Sequence, residues 1–292
     1  MDILLMGAQG QLGLALQPLL AGLGTVHAVG RRELDLSDAP AIRQYVQQWR
    51  PQLIINAAAY TAVDRAESEP QLAQAINGIA PGVLAEEAGH LGGALIHFST
   101  DYVFDGMLNR PYVETDEPHP LGVYGKSKWL GERAVQATGT PAVILRTSWV
   151  YGLEGSNFLK TMLRLGQERD HVRVVNDQWG APTWTHSLAQ ATVTMIRHGI
   201  EQGNCVQYMQ QHQGLYHLTN SGATTWYEFA RTLFALRPEC TATLTAIPSS
   251  EYPTPAQRPS NSRLDNRKIA QQLGIVLPHW KDDLQECLRE LP

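Results

Sequence analysis

Residues 1–13 read Met-Asp-Ile-Leu-Leu-Met-Gly-Ala-Gln-Gly-Gln-Leu-Gly. Residues 2–6 form a short, nearly continuous apolar run, the pattern of a strand covered on both faces. Gly7, Gly10 and Gly13 follow at once, and residues 12–20 carry helical spacing. A glycine turn between strand and helix lets backbone approach a pyrophosphate, and the helix N-terminus stabilises the phosphate charge. A glycine triplet alone is a weak signal. Set between a strand and a helix, it predicts a dinucleotide site at Gly7, Gly10, Gln11, Leu12 and Gly13.

Outward from this turn the alternation continues. Residues 25–29, 53–56, 94–98 and 142–146 read as strands, and residues 39–49, 72–88 and 124–137 as helices, with Ser37-Asp38 as a cap before the first of these. Strands alternating with helices predict an α/β chain: a Rossmann-type, doubly wound parallel sheet with helices on both faces. Beyond residue 150 the pattern loosens. Helices are expected at 157–168, 187–198, 226–236 and 281–291, an extended piece at 172–175, and a proline-rich stretch at 248–259. The expected division is a dinucleotide-binding domain over 1–150 and a smaller, mixed α/β substrate-binding domain over 151–292. Segments near 182–220 can return to the first domain, with residues 215–218 adding a strand to its sheet.

Composition narrows the class. The chain has 292 residues, 43% hydrophobic and 17% charged, enough to bury a core. A formal net charge of -5 argues against a general nucleic-acid binder, which would show a basic stripe. Cys205, Cys240 and Cys287 are odd in number and scattered, without metal-type spacing. That usage fits a reducing cytoplasm. The first residues lack the basic start and long apolar stretch of a signal peptide, no run approaches the length of a membrane span, and a soluble cytoplasmic protein is expected.

Tyr124-Gly125-Lys126-Ser127-Lys128 points to chemistry. On a helix, Tyr124 and Lys128 share one face, a turn apart. A phenol is a poor acid or base near neutrality, and a nearby ammonium lowers its pKa. A tyrosine tuned in this way can pass a proton to or from a carbonyl or alcohol oxygen. Upstream, residues 94–98 lead into Ser99-Thr100-Asp101, at the carboxyl end of a strand, where open parallel sheets bind ligands. Side chains alternate along a strand, so only one of Ser99 and Thr100 can face a reacting carbonyl. After the second strand, Gly30-Arg31-Arg32 offers no acid for ribose hydroxyls. Two guanidiniums suit a 2′-phosphate instead, so NADPH is the expected cofactor, with NADH second.

The glycine pattern, the Asn-Ala-Ala-Ala end of the third strand, the STDYVFDG segment at 99–106 and YGKSK together resemble the extended short-chain dehydrogenase/reductases. Within them the chain resembles the dTDP-4-dehydrorhamnose reductase family, through LRTSWVYG at 145–152, NFLKTMLRL at 157–165, VNDQWGAPT at 175–183, GLYHLTN at 214–220 and YPTPAQRPSNSRLD at 252–265. The resemblance implies reduction of the C4 ketone of a nucleotide-linked 4-keto-6-deoxy sugar by NADPH, in dTDP-L-rhamnose synthesis for surface polysaccharide. It makes Tyr124 the proton donor, with Lys128 lowering its pKa and holding the nicotinamide ribose, and Thr100 the triad hydroxyl. It places Ala57, Ala58 and Ala59 along the cofactor, Asp35 and Leu36 near its adenine, and Asp101 and Trp149 on the sugar. Asn77 resembles an asparagine that supports a proton relay. The substrate's diphosphate wants a cation, for which Arg258 comes first and Arg263 second.

The chain also departs from relatives. Some pair through a magnesium site whose acid falls at Ala15 here, and residues 184–190 contain no acid. No metal is therefore expected, and any homodimer would form without one. Dehydratases of similar fold follow the triad threonine with two acids, whereas Thr100-Asp101 is followed by Tyr102. A non-catalytic regulatory relative would be expected to lose the Tyr–Lys pair. His97, within an apolar strand, reads as a packed core histidine.

Overall fold

The computed structural model describes residues 1–291. Six strands form one parallel sheet: β1 (Asp2–Met6), β2 (Thr25–Val29), β3 (Leu53–Asn56), β4 (Ala94–Thr100), β5 (Ala142–Thr147) and β6 (Gly214–His217). Their spatial order is β6-β5-β4-β3-β1-β2. From β1 the chain first winds to one side and then, from β3, to the other. The switch between β1 and β3 leaves the crevice at which doubly wound sheets bind ligands.

Period-two alternation builds a core on each face. From β1, Ile3 and Leu5 join Leu16 and Leu20, while Leu4 and Met6 join Ile42, Val46 and Leu84. β3 divides in the same way, Leu53 and Ile55 to one side and Ile54 to the other. The third apolar cluster lies outside the sheet. It gathers Tyr151, Leu159, Met162, Val172, Phe229, Leu233, Trp280 and Leu284, all from the second half of the chain. The Thr185–Glu201 helix returns to the sheet, burying Leu188, Met195 and Ile196 in the first core, and β6 then pairs with β5.

Two glycines fix the first turn. Gly7 has φ +78°, and a Cβ there would lie 2.7 Å from the Ala58 nitrogen. A Cβ on Gly13 would lie 2.1 Å from the Gly7 carbonyl oxygen. Only bare backbone lets the Gln11–Leu20 helix start so close beneath the turn.

Several elements differ from expectation. β4 runs on through Ser99 and Thr100. The helix expected at 72–88 is Pro70–Gln74, a π-helical turn Ala75–Ile79, and Ala80–His90. Thr243–Ile247 pairs in parallel with His171–Val175, and short helices form at Cys205–Gln211 and Arg267–Leu273. Among the described residues no helix is long and apolar enough to cross a membrane.

Candidate active site

A cleft of about 610 Å³ opens along the carboxyl ends of the strands. At one end Gly7, Gly10, Gln11 and Leu12 line it. Gly10 caps the Gln11–Leu20 helix and offers no side-chain bond to its first N–H groups. Those donors therefore face the cleft available for an anion. Arg31, Asp35 and Leu36 line the wall beyond β2, and Ala57, Ala58 and Ala59 the wall beyond β3. Arg32 is exposed and not part of the lining, and Gly13 sits beneath the turn.

At the other end stand Thr100, Asp101, Tyr124, Lys128 and Trp149. The strand divides Ser99 from Thr100 as its pleat requires. Ser99 Oγ turns to the helix that bears Tyr124 and donates to Glu132 Oε1 at 2.5 Å, while Thr100 Oγ1 donates to Asp101 Oδ1 at 3.0 Å. Lys128 is buried, and its Nζ donates to the Phe98 carbonyl at 2.6 Å. Burial pulls its pKa down to about 8, against the pull of the Glu132 carboxylate one turn on.

The expected tuning of Tyr124 is not what the structure shows. Its ring is partly open to the cleft, yet close packing pushes the phenol up to about 12, Thr100 lowering it and the Asp101 charge raising it further. The Lys128 ammonium is turned to a backbone carbonyl and does not bring the phenol down. Asp101 is buried, its Oδ2 has no partner, and desolvation raises its pKa to about 7 despite hydrogen bonds from Ser262 and Thr100. His97 is a core histidine: Asn56 Nδ2 meets its Nδ1 at 3.1 Å, and burial holds it neutral.

Over residues 1–292 the sequence matches the family model described as the RmlD substrate binding domain. The chain belongs to this family. A dTDP-4-dehydrorhamnose reductase of Burkholderia thailandensis is 42% identical over 298 residues, covering 100% of this chain and 99% of that one. The reductase of Escherichia coli (strain K12) is 44% identical over 300 residues, at 100% and 98% coverage. A solved dTDP-4-dehydrorhamnose reductase from Bacillus anthracis, described as in complex with NADP, superposes with a TM-score of 0.89 at 34% identity, covering 99% of each chain.

For an RmlD-family chain, three further placements matter. Arg258 lies outside the cleft lining and is held by Asp64, Nη1 to Oδ1 at 3.0 Å and Nη2 to Oδ2 at 2.8 Å. Arg263 donates to Asn261 Oδ1 and to the Asn109 carbonyl, away from the cleft. Asn77 lies in the π turn. It accepts from the Tyr60 N–H at 2.8 Å and donates to the Tyr60 carbonyl at 2.9 Å and to Ser127 Oγ at 3.1 Å. It thereby ties the loop after β3 to the helix bearing Tyr124.

Sequence reasoning missed Trp226, which lines the cleft and stacks on Trp149 at 3.5 Å between ring centroids. No local pattern marks it. Its partner lies far back in the chain, and it opens a helix whose other apolar residues are core.

Proposed function

We propose that this protein reduces the C4 ketone of dTDP-4-dehydro-L-rhamnose to dTDP-L-rhamnose with NADPH. The observation that carries this reading is the single cleft. The uncapped helix start, the arginine beyond β2 and the Thr100–Tyr124–Lys128 set share one continuous lining. Full-length likeness to named reductases supports the substrate class.

The lining fits such a cofactor. N–H groups at Gln11 and Leu12 receive the pyrophosphate, Arg31 the 2′-phosphate, Asp35 and Leu36 the adenosine end, and Lys128 the nicotinamide ribose. When bound, NADPH supplies hydride to the sugar C4. Tyr124 donates its proton to the ketone oxygen as negative charge develops there. A phenol near pKa 12 is fully protonated at neutral pH, the form reduction requires. Thr100 donates a hydrogen bond to the same oxygen once its hydroxyl turns from Asp101. Asp101 and Trp149 hold the sugar. Arg258 serves the diphosphate by exchanging its carboxylate partner Asp64 for phosphate oxygens.

NADPH oxidation on adding the 4-keto sugar tests the reading, comparing wild type with Tyr124→Phe. Loss of the phenol should lower kcat by about a hundredfold or more, as for removal of a positioned general acid. A near-normal Tyr124→Phe rate would remove the proton-donor role, and a wild type without turnover would remove the reaction.

A further inference from the structure

Trp149 adopts φ +47°, in the left-handed region that a bulky side chain rarely enters. A conformation of this kind persists only where its surroundings enforce it, and such positions cluster at ligand sites. Here the enforcement is visible on both sides of the ring. One side is covered by Trp226, with centroids 3.5 Å apart and planes 8° from parallel. On the other, a Cβ on Gly180 would sit 2.4 Å from Trp149 Cε2, so the indole occupies space that only glycine vacates.

The clamp has its own foundation. Trp226 begins the Trp226–Leu236 helix and touches Phe158, centroids 4.6 Å apart. Phe158 stacks on Phe229, and Phe229 meets Trp280 edge-on. An aromatic run therefore leads from the cleft into the third core. Trp149 itself follows β5, beside the strand end that carries Thr100. The stack joins a side chain of the sheet to the interior of the other core, at the place where both line the cleft.

We propose that Trp226 is a positioning residue that, with Gly180, holds the strained Trp149 indole as a fixed apolar wall for the sugar ring of the substrate. The proposal rests on the nucleotide-sugar reading above and adds what sets the sugar's position. With both faces covered, the indole meets the cleft edge-on, and that fixed apolar edge matches the methyl group of a 6-deoxy sugar. It also needs no ordering when the ligand arrives, which preserves affinity.

Trp226→Leu keeps an apolar residue beneath the wall and removes the stacked partner. Two closely stacked indoles couple their transitions, so the wild type should show an exciton couplet in circular dichroism that Trp226→Leu lacks. With the couplet gone, KM for the 4-keto sugar and Kd for dTDP-L-rhamnose by calorimetry should each rise about tenfold, the order of losing one aromatic contact. NADPH affinity should stay at the wild-type value, and kcat should fall less than KM rises. Trp226→Phe should recover most of the sugar affinity. Gly180→Ala, pressing the ring from the opposite side, should weaken sugar binding in the same way. If Trp226→Leu loses the couplet and binds sugar as tightly as wild type, the clamp is overturned and the reductase reading stands. If the wild type binds no nucleotide sugar, both readings fall.

Discussion

At the residue level the Thr100–Tyr124–Lys128 set was legible, because spacing and strand position depend on local sequence. Its electrostatics were not. The pKa of Lys128 is set by burial and by Glu132, and only packing brings these together. Two predictions follow from those values. Lys128 is charged below about 8 and neutral above it in the free enzyme. If its charge holds the cofactor, kcat/KM falls as pH rises through about 8, well below the range of an ordinary lysine. The kcat profile should break at higher pH, because bound cofactor phosphates favour the ammonium; rate against pH at low and saturating substrate checks both. Asp101 is shifted the other way, from 3.8 to about 7. A carboxyl whose folded pKa is raised loses stability as pH climbs from its unfolded value to its folded one, and the full cost applies above the latter. That cost is at most about 4 kcal/mol, and Asp101→Asn removes it. The variant should be more stable than wild type at pH 8, show little gain at pH 4, and bind the sugar less well. Denaturant melts at the two pH values read the sign.

At the level of elements, the sheet strands and most helices follow their expected ranges, because each carries its own apolar periodicity. The exceptions depend on distant partners. Thr243–Ile247 is half exposed and is a strand only because His171–Val175 pairs with it. The π turn at Ala75–Ile79 interrupts a helix at Asn77, whose side chain is spent on Tyr60 and Ser127. Tertiary bonds of this kind leave no local signature. The glycine turn is the opposite case, legible because steric necessity writes glycine into the sequence. Gly13→Ala would place a methyl 2.1 Å from the Gly7 carbonyl, with backbone on both sides and nothing free to swing away. Opening the turn should cost roughly 1–3 kcal/mol of stability, as overpacking does. It should also weaken NADPH binding at least about tenfold, because the helix N–H groups no longer converge on the pyrophosphate. Fluorescence titration of NADPH beside a thermal melt separates the two effects.

Across the whole molecule, two sets of cores share one cleft and are threaded through each other. The Thr185–Glu201 helix and β6 leave the second half of the chain and pack into the first core. Ser187 Oγ and Asn220 Nδ2 both donate to buried Asp283, at 2.5 Å each, binding that returning segment to the Trp280–Arg289 helix of the other core. Neither unit can unfold without tearing the other, so thermal unfolding should be one cooperative transition. A ligand that binds only the folded state then stabilises the entire molecule by mass action, about 2.7 kcal/mol at a hundred times Kd. For a chain of this size that raises Tm by roughly 4–5 °C. The residues proposed to hold the cofactor all come from the first half of the chain, so the prediction is discriminating. Independent units would show one transition moved by NADPH and a second left in place. Arg31 adds a further arm, because it is the exposed cation on the cleft wall beyond β2. At equal concentration NADH should raise Tm less than NADPH, and Arg31→Ala should bring the two shifts together by reducing that of NADPH. Calorimetric scans of both proteins with each cofactor decide the matter. A split transition would refute the shared scaffold, while equal shifts in the wild type would refute the 2′-phosphate role of Arg31.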